Sequence, residues 1–201
     1  MILAEKPQAL GLLRQSLGNS AAEFRPGQWE AIDAIVNKSE RRLVVERTGW
    51  GKSSVYFIAT KLLRESGKGL TLIVSPLLAL MRNQIEAAES LGVNAQTINS
   101  SNSDNWSEIL LSVQNDEVDA LLISPERLAN SGFVEKVLMP ISQNIGLLVV
   151  DEAHCISDWG HDFRPDYRRL INILQSMPKT VSILGTTATA NDRVIQDIQE
   201  Q

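Results

Sequence analysis

Apolar residues fall along this chain in two rhythms. Short apolar runs at 43–45, 70–75, 93–98, 120–124, 145–150 and 181–184 have the length and β-branched content of strands. Between them, apolar positions recur at helical spacing. Leucines do so over 8–17, and Trp29, Ile32, Ile35 and Val36 share one face within 26–38. Further helices are predicted over 55–64, 76–91 and 106–114, in two short pieces up to Met139, over 167–175, and from Asp192 onward. Gly18-Asn19 and Gly67-Lys68-Gly69 stop the first and third helices, and Pro76 suits a first helical turn. Strand and helix therefore alternate at least five times. The strands read as continuous apolar runs rather than in/out alternations. That predicts burial on both faces, hence a mostly parallel sheet with helices on both sides. No internal repeat, low-complexity segment or interdomain linker breaks the pattern, so residues 1–201 read as a single α/β domain.

Composition narrows the picture only a little. At 201 residues and 43% hydrophobic, the chain can bury one substantial core. A net charge of −5 provides no global field for nucleic acid, so any phosphate contact must be local. The single cysteine, Cys155, rules out an internal disulfide framework or a cysteine-rich zinc site and reads as a small, semi-buried hydrophobe. No apolar run approaches membrane length, and the start, MILAEKPQAL, lacks the features of a signal peptide. The expectation is a soluble intracellular protein, cytoplasmic or nucleoid-associated, with no membrane partner.

The chemistry gathers at the ends of the apolar runs. The stretch 43–54, LVVERTGWGKSS, is a strand, a glycine-bearing loop and a helix start. Glycines let backbone N–H groups turn inward, and a helix N-terminus adds partial positive charge, so this is a phosphate cradle. The candidate phosphate-binding set is Thr48, Gly49, Trp50, Gly51, Lys52, Ser53 and Ser54. Lys52 would reach the β- and γ-phosphates, and the Ser53 hydroxyl would help to hold Mg²⁺. Glu46 stands where the strict pattern has glycine, which leaves the shorter form TGxGKS. The fifth apolar run delivers two carboxylates, Asp151 and Glu152. Asp151 would hold Mg²⁺ beside Ser53, and Glu152 would orient the water that attacks the γ-phosphate. In parallel sheets ligands sit beyond the carboxyl ends of the strands. The phosphate loop, the acidic pair and Gly185-Thr186-Thr187 are all placed there. Nucleoside triphosphate hydrolysis, with ATP and Mg²⁺, is the minimal mechanism these residues support.

Asp151-Glu152-Ala153-His154 spells DEAH, a superfamily 2 helicase signature. The longer segment DEAHCISDWGHDFRPDY resembles the RecQ family of DNA helicases. FRPGQ at 24–28 resembles that family's motif 0, IVSPLLALMRNQ at 73–84 its motif Ia, ISPERL at 123–128 the next strand-end motif, and GTTATAN at 185–191 motif III. The matches run in family order over nearly the whole chain.

The resemblance implies a RecA-like P-loop NTPase fold, a three-layer sandwich. It also implies residue roles. Gln28 would read the adenine edge, with Arg25 packing or hydrogen-bonding nearby. Arg82, Asn83 and Gln84 would lie toward single-stranded DNA. The loop bearing Trp159, His161, Phe163, Arg164 and Tyr167 would couple DNA binding to hydrolysis, its aromatic residues and arginine suited to stacking on unpaired bases. His154, Thr187 and Thr189 would tie the acidic box to DNA and to a partner lobe. Trp50 replaces the small residue common in RecQ-like loops; it could cover the nucleotide, meet a second lobe, or sit at an exposed tip.

RecQ-like helicases need a second RecA-like lobe carrying an arginine finger, together with zinc-binding and winged-helix modules. Nothing after Gly185 resembles these. The expectation is a first lobe that binds ATP weakly and is nearly inactive alone. In the full-length protein it would support 3′-to-5′ unwinding of single-stranded/duplex DNA, with repair and recombination as family roles. Two other readings stay open: a superfamily 2 translocase or remodeller that does not separate strands, and a nucleotide-gated nucleic-acid-binding module. An RNA helicase sharing the DEAH letters is disfavoured by FRPGQ together with WGHDFRPDY.

Overall fold

The structure is a computed structural model. It describes residues 3–76, 78–99, 102, 105–157, 165–170, 173 and 177–200, with backbone alone for 78–82, 165 and 168. All six apolar runs form strands: β1 (Arg41–Val45), β2 (Leu70–Val74), β3 (Ala95–Ile98), β4 (Ala120–Ile123), β5 (Ile145–Asp151) and β6 (Ser182–Thr187). They pair in the order β1-β6-β5-β2-β4-β3, and every pairing is parallel.

The continuous apolar runs have a simple cause. Successive side chains on a strand point to opposite faces, and here both faces are covered. Ile73, Leu122, Leu147, Val149 and Leu184 enter the core beneath α1 (Lys6–Leu17), α2 (Gln28–Val36), α3 (Lys52–Glu65) and α4 (Leu78–Glu89). Their neighbours Leu72, Val74, Leu121, Ile123, Leu148 and Val150 enter the opposite core. That side is covered by α5 (Trp106–Gln114), by helical turns within 125–144, and by parts of 165–173 and 192–200. The result is the three-layer sandwich expected of a RecA-like domain.

Differences from the sequence pattern have local reasons. β6 continues past Leu184 through Gly-Thr-Thr, because β1 and β5 flank it and supply parallel partners as far as Thr187 and Thr186. The two short pieces predicted up to Met139 form a nearly continuous helical run, with a π-type stretch at Val134–Leu138. Pro140 lies just beyond it; lacking an N–H, it cannot hold a regular α-helical ladder. Of the predicted helix over 167–175, the structure describes a turn at Pro165–Arg168; residues 171–172 and 174–176 lie outside the described part. Among the described residues no helix is long and apolar enough to cross a membrane.

At the entry to β2 two stretches of backbone approach closely. A Cβ built on Gly69 would lie 1.6 Å from the Asn144 carbonyl oxygen, whereas one on Gly11, within α1, meets nothing within 4 Å. Gly69→Ala is expected to destabilise the fold by about 3 kcal/mol or more, since backbone must move. Gly11→Ala is expected to stabilise it by about 0.5–1 kcal/mol. Chemical denaturation of the two variants checks both signs.

Candidate active site

Parallel pairing sets the carboxyl ends of β1, β6, β5 and β2 side by side. Val45 is level with Thr187, Asp151 with Thr186, and Val74 with Val150. The Glu46 amide extends the β1–β6 ladder by donating to the Thr187 carbonyl at 3.0 Å. The loop after β1, the acidic pair after β5 and the Gly-Thr-Thr end of β6 therefore share one rim, with Ser75 beside them.

The loop is shaped by two glycines in the left-handed region, Gly49 at φ +83° and Gly51 at φ +100°. α3 opens directly at Lys52, so the N–H groups of its first turn lack intrahelical partners and carry the helix's positive end. The Lys52 ammonium lies across the loop, donating to the Glu46 carbonyl at 2.6 Å and more weakly to that of Arg47 at 3.4 Å. Ser53 and Ser54 are half-buried; Thr48 is exposed.

FRPGQ is clamped onto this loop. Gln28, buried, accepts from its own motif's Arg25 N–H through Oε1 at 2.9 Å. Its Nε2 donates to the Trp50 carbonyl at 2.9 Å. The Arg25 guanidinium donates to the Gly49 carbonyl. A Cβ on Gly51 would sit 2.6 Å from Gln28 Nε2, so the close approach requires glycine. The exposed-tip option for Trp50 is overturned: its side chain is only 7% exposed and belongs to the core beneath α1, α2 and α3. The indole reaches Gly27, where a Cβ would stand 3.6 Å from Cζ2. The left-handed turn at Gly49 folds the ring under FRPGQ instead of presenting it to solvent.

At the end of β5, Asp151 is 8% exposed. Its Oδ1 accepts from the Thr186 hydroxyl at 2.6 Å and its Oδ2 from the Ser75 hydroxyl at 3.2 Å. Among the described residues these hydroxyls, rather than a lysine or arginine, hold the carboxylate. Strand periodicity explains the trio. Ile73, Val149 and Leu184 line the α3-side core, and Ser75, Asp151 and Thr186 are the next positions on that face. A buried carboxylate held by two hydroxyls, with lone pairs remaining on both oxygens, suits Mg²⁺, which takes one or two carboxylates plus substrate phosphates.

Glu152 adopts a left-handed conformation at φ +51°, uncommon for a residue with a side chain and typical of functional turns. Its Oε2 lies 3.2 Å from His154 Nδ1, which is also 2.8 Å from Thr187 Oγ1. Thr187 Oγ1 in turn donates to the Thr189 carbonyl at 3.1 Å. These contacts assign the proton to Nδ1, leaving Nε2 to face the Cys155 sulfur at 3.7 Å. His154, Thr187 and Thr189 thus form one chain of contacts leading from Glu152.

On the nucleic-acid side the outcome is mixed. Asn83 is exposed on α4. Gln84, expected to lie toward DNA, is instead 8% exposed and faces the interior beside Tyr56 of α3; helical periodicity carries its side chain off the outer face. The Arg82 side chain and Trp159, His161, Phe163 and Arg164 lie outside the described residues. Tyr167, grouped with the stacking aromatics, is buried, and its hydroxyl donates to the Asp151 carbonyl at 2.9 Å. It anchors the far end of that loop to the acidic strand. Tyr56 went unnoticed in the sequence, although its position three residues past Ser53 puts it on the same helical face.

Parallel strands in this order, with a helix opening directly behind a glycine-bearing loop, make this a RecA-like P-loop domain. The family model for DEAD/DEAH box helicases matches residues 25–198. The chain belongs to that family, and within it the similarity is to RecQ. It is 36% identical to the ATP-dependent DNA helicase RecQ of Haemophilus influenzae over 98% of this chain and 30% of that protein. It is 37% identical to the ATP-dependent DNA helicase RecQ of Bacillus subtilis over 89% of this chain and 29% of that one. With the ATP-dependent DNA helicase Q1 of Mus musculus it shares 35% identity over 89% of this chain and 27% of that protein. The chain thus spans about 30% of the length of these three relatives.

The clamp can be tested without nucleotide. Gln28→Ala leaves the Trp50 carbonyl and the Arg25 N–H without their partner. It is expected to cost about 1–3 kcal/mol in chemical denaturation, against less than about 0.5 kcal/mol for the exposed Asn83→Ala.

Proposed function

We propose that this chain is the first lobe of an ATP-dependent DNA helicase of the RecQ kind. It binds ATP with Mg²⁺ and engages single-stranded DNA. In the full-length protein, together with a second RecA-like lobe, it drives 3′-to-5′ unwinding of duplex DNA. The observation that carries the proposal is the buried Asp151 carboxylate, held by the Ser75 and Thr186 hydroxyls on the same rim as the glycine-bearing loop and the start of α3. The names of the relatives support the reading of the substrate, and the polarity is taken from the RecQ resemblance.

Each side chain then has a task. The first-turn N–H groups of α3 and the loop amides bind the phosphate oxygens. Lys52 exchanges its carbonyl contacts for charge-assisted bonds to the β- and γ-phosphates. Ser53 and Asp151 would hold Mg²⁺, whose charge would offset that of the phosphate oxygens. Glu152 orients the attacking water and accepts its proton, while His154, through Nδ1, fixes the Glu152 carboxylate. Gln28 retains one amide hydrogen and one carbonyl lone pair for the adenine edge. Because Gln28 and Arg25 hold the Trp50 and Gly49 carbonyls, base recognition and loop shape become one event. Thr187 and Thr189 extend the line from Glu152 toward DNA and the second lobe. Asn83, Arg82 and the aromatic loop 158–164 complete the DNA side.

A titration of this chain with a fluorescent ATP analogue and Mg²⁺ tests the nucleotide reading. Lys52→Ala is expected to weaken binding at least tenfold, about 1.4 kcal/mol. Asp151→Asn is expected to remove most of the Mg²⁺ dependence while retaining residual nucleotide affinity. Wild-type-like binding by Lys52→Ala would overturn the assignment. A strand-separation assay on the full-length protein, with the same lysine variant as control, distinguishes unwinding from translocation alone.

A further inference from the structure

Within the phosphate loop, residues 46–51, Trp50 alone is buried. Its indole belongs to the core that also holds Leu13 of α1, Ile32 and Ile35 of α2 and Val55 of α3. The backbone of the same residue meets Gln28, at the start of α2. Gln28 Nε2 donates to the Trp50 carbonyl, while Gln28 Oε1 accepts from the Arg25 N–H. The loop and α2 are therefore fastened twice through Trp50, once by its carbonyl and once by its ring.

The fastening decides which way round the Gln28 amide sits. A glutamine amide has a donor end and an acceptor end of nearly equal shape. Turned over, its oxygen would face the Trp50 carbonyl and its NH₂ the Arg25 N–H, acceptor against acceptor and donor against donor. Gly51 hems in the same group, since a Cβ there would stand 2.6 Å from Nε2. The orientation adopted leaves one amide hydrogen and one carbonyl lone pair to face a base. That edge complements adenine, which presents the N7 acceptor beside the N6 amino donor. Guanine presents two acceptors, N7 and O6, and one of them would meet the Gln28 oxygen.

The Trp50 carbonyl can impose this choice only while it stays in place. It is flanked by Gly49 and Gly51, at φ +83° and +100°, which lack the side chains that restrict backbone rotation. The buried indole ties the segment down between them. We propose that Trp50 is a positioning residue that sets base specificity: its ring fixes the carbonyl that fixes the Gln28 amide, so that the site selects adenine over guanine. This rests on the reading of Gln28 as the residue that faces the base. The indole touches neither base nor phosphate in this scheme.

The test uses this chain with Mg²⁺ and non-hydrolysable, fluorescent analogues of ATP and GTP, read as the ratio of their dissociation constants. The wild type is expected to favour the adenine analogue by about tenfold or more. Trp50→Gly is expected to bring the ratio to about threefold or less, whereas Trp50→Phe, which keeps a ring in the core, is expected to retain about half of the wild-type ratio or more. A loss of stability alone would weaken both analogues alike and leave the ratio unmoved. Trp50→Ala removes the ring without making residues 49–51 all glycine; it is held to the same limit as Trp50→Gly and decides the matter if that variant does not fold. Gln28→Ala is expected to lose the preference as well. The proposal is overturned if removing the ring leaves the wild-type ratio while Gln28→Ala abolishes it, or if Trp50→Phe loses as much as Trp50→Gly. A wild type that binds both analogues equally, or a Gln28→Ala that keeps the preference, would instead sink the adenine reading of Gln28, and the proposal with it.

Discussion

The Asp151 carboxylate sits where three strand ends meet, and its burial constrains everything around it. An ionised carboxylate taken out of water must be hydrogen-bonded or paired. Here the donors are hydroxyls from the two neighbouring strand ends, Ser75 beyond β2 and Thr186 in β6. That arrangement exists in only one register. Sliding β5 by one residue would turn Asp151 to the opposite face and bring Glu152 or Val150 under α3. The apolar rows beneath therefore have a second job. Ile73, Val149 and Leu184, fully buried, lock the register that places the three polar residues above them.

The same economy governs the phosphate loop. A glycine-bearing loop is free to take many shapes, and a phosphate cradle needs one. FRPGQ, at the N-terminal start of α2, narrows the choice by bonding two loop carbonyls in succession, those of Gly49 and Trp50. The indole of Trp50 wedges under the clamp. What the loop gives up in freedom it gains in pre-organisation, so less ordering remains to be done when phosphate arrives.

Much of this was legible beforehand, for identifiable reasons. Strands buried on both faces leave continuous apolar runs, so all six could be read. Helix starts and stops were marked by proline and glycine. The loop, the acidic pair and Gly-Thr-Thr could be put on one rim because a parallel sheet presents every carboxyl end on one side. Other residues were misread or missed because their meaning depends on packing. Gln84 looked like a surface polar residue on an amphipathic helix; only α3 packed against α4 turns it inward. Tyr167 looked like one more aromatic in a loop rich in them, and only its hydroxyl on the Asp151 carbonyl shows it to be an anchor. Thr186 was placed on the rim but not on Asp151, and Ser75 could have been found as the continuation of a core row by two positions.

The division follows from range. The sequence by itself determined the elements, their parallel arrangement and the kinds of chemistry at their ends, because periodicity and short motifs are local properties of the chain. Tertiary structure alone decided which polar groups are satisfied and by whom: Asp151 by the Ser75 and Thr186 hydroxyls, the Trp50 and Gly49 carbonyls by Gln28 and Arg25, and the Asp151 carbonyl by Tyr167. Those are pairings between residues far apart in the chain, and a hydrogen bond that depends on tenths of an ångström leaves no periodic trace in the order of the amino acids.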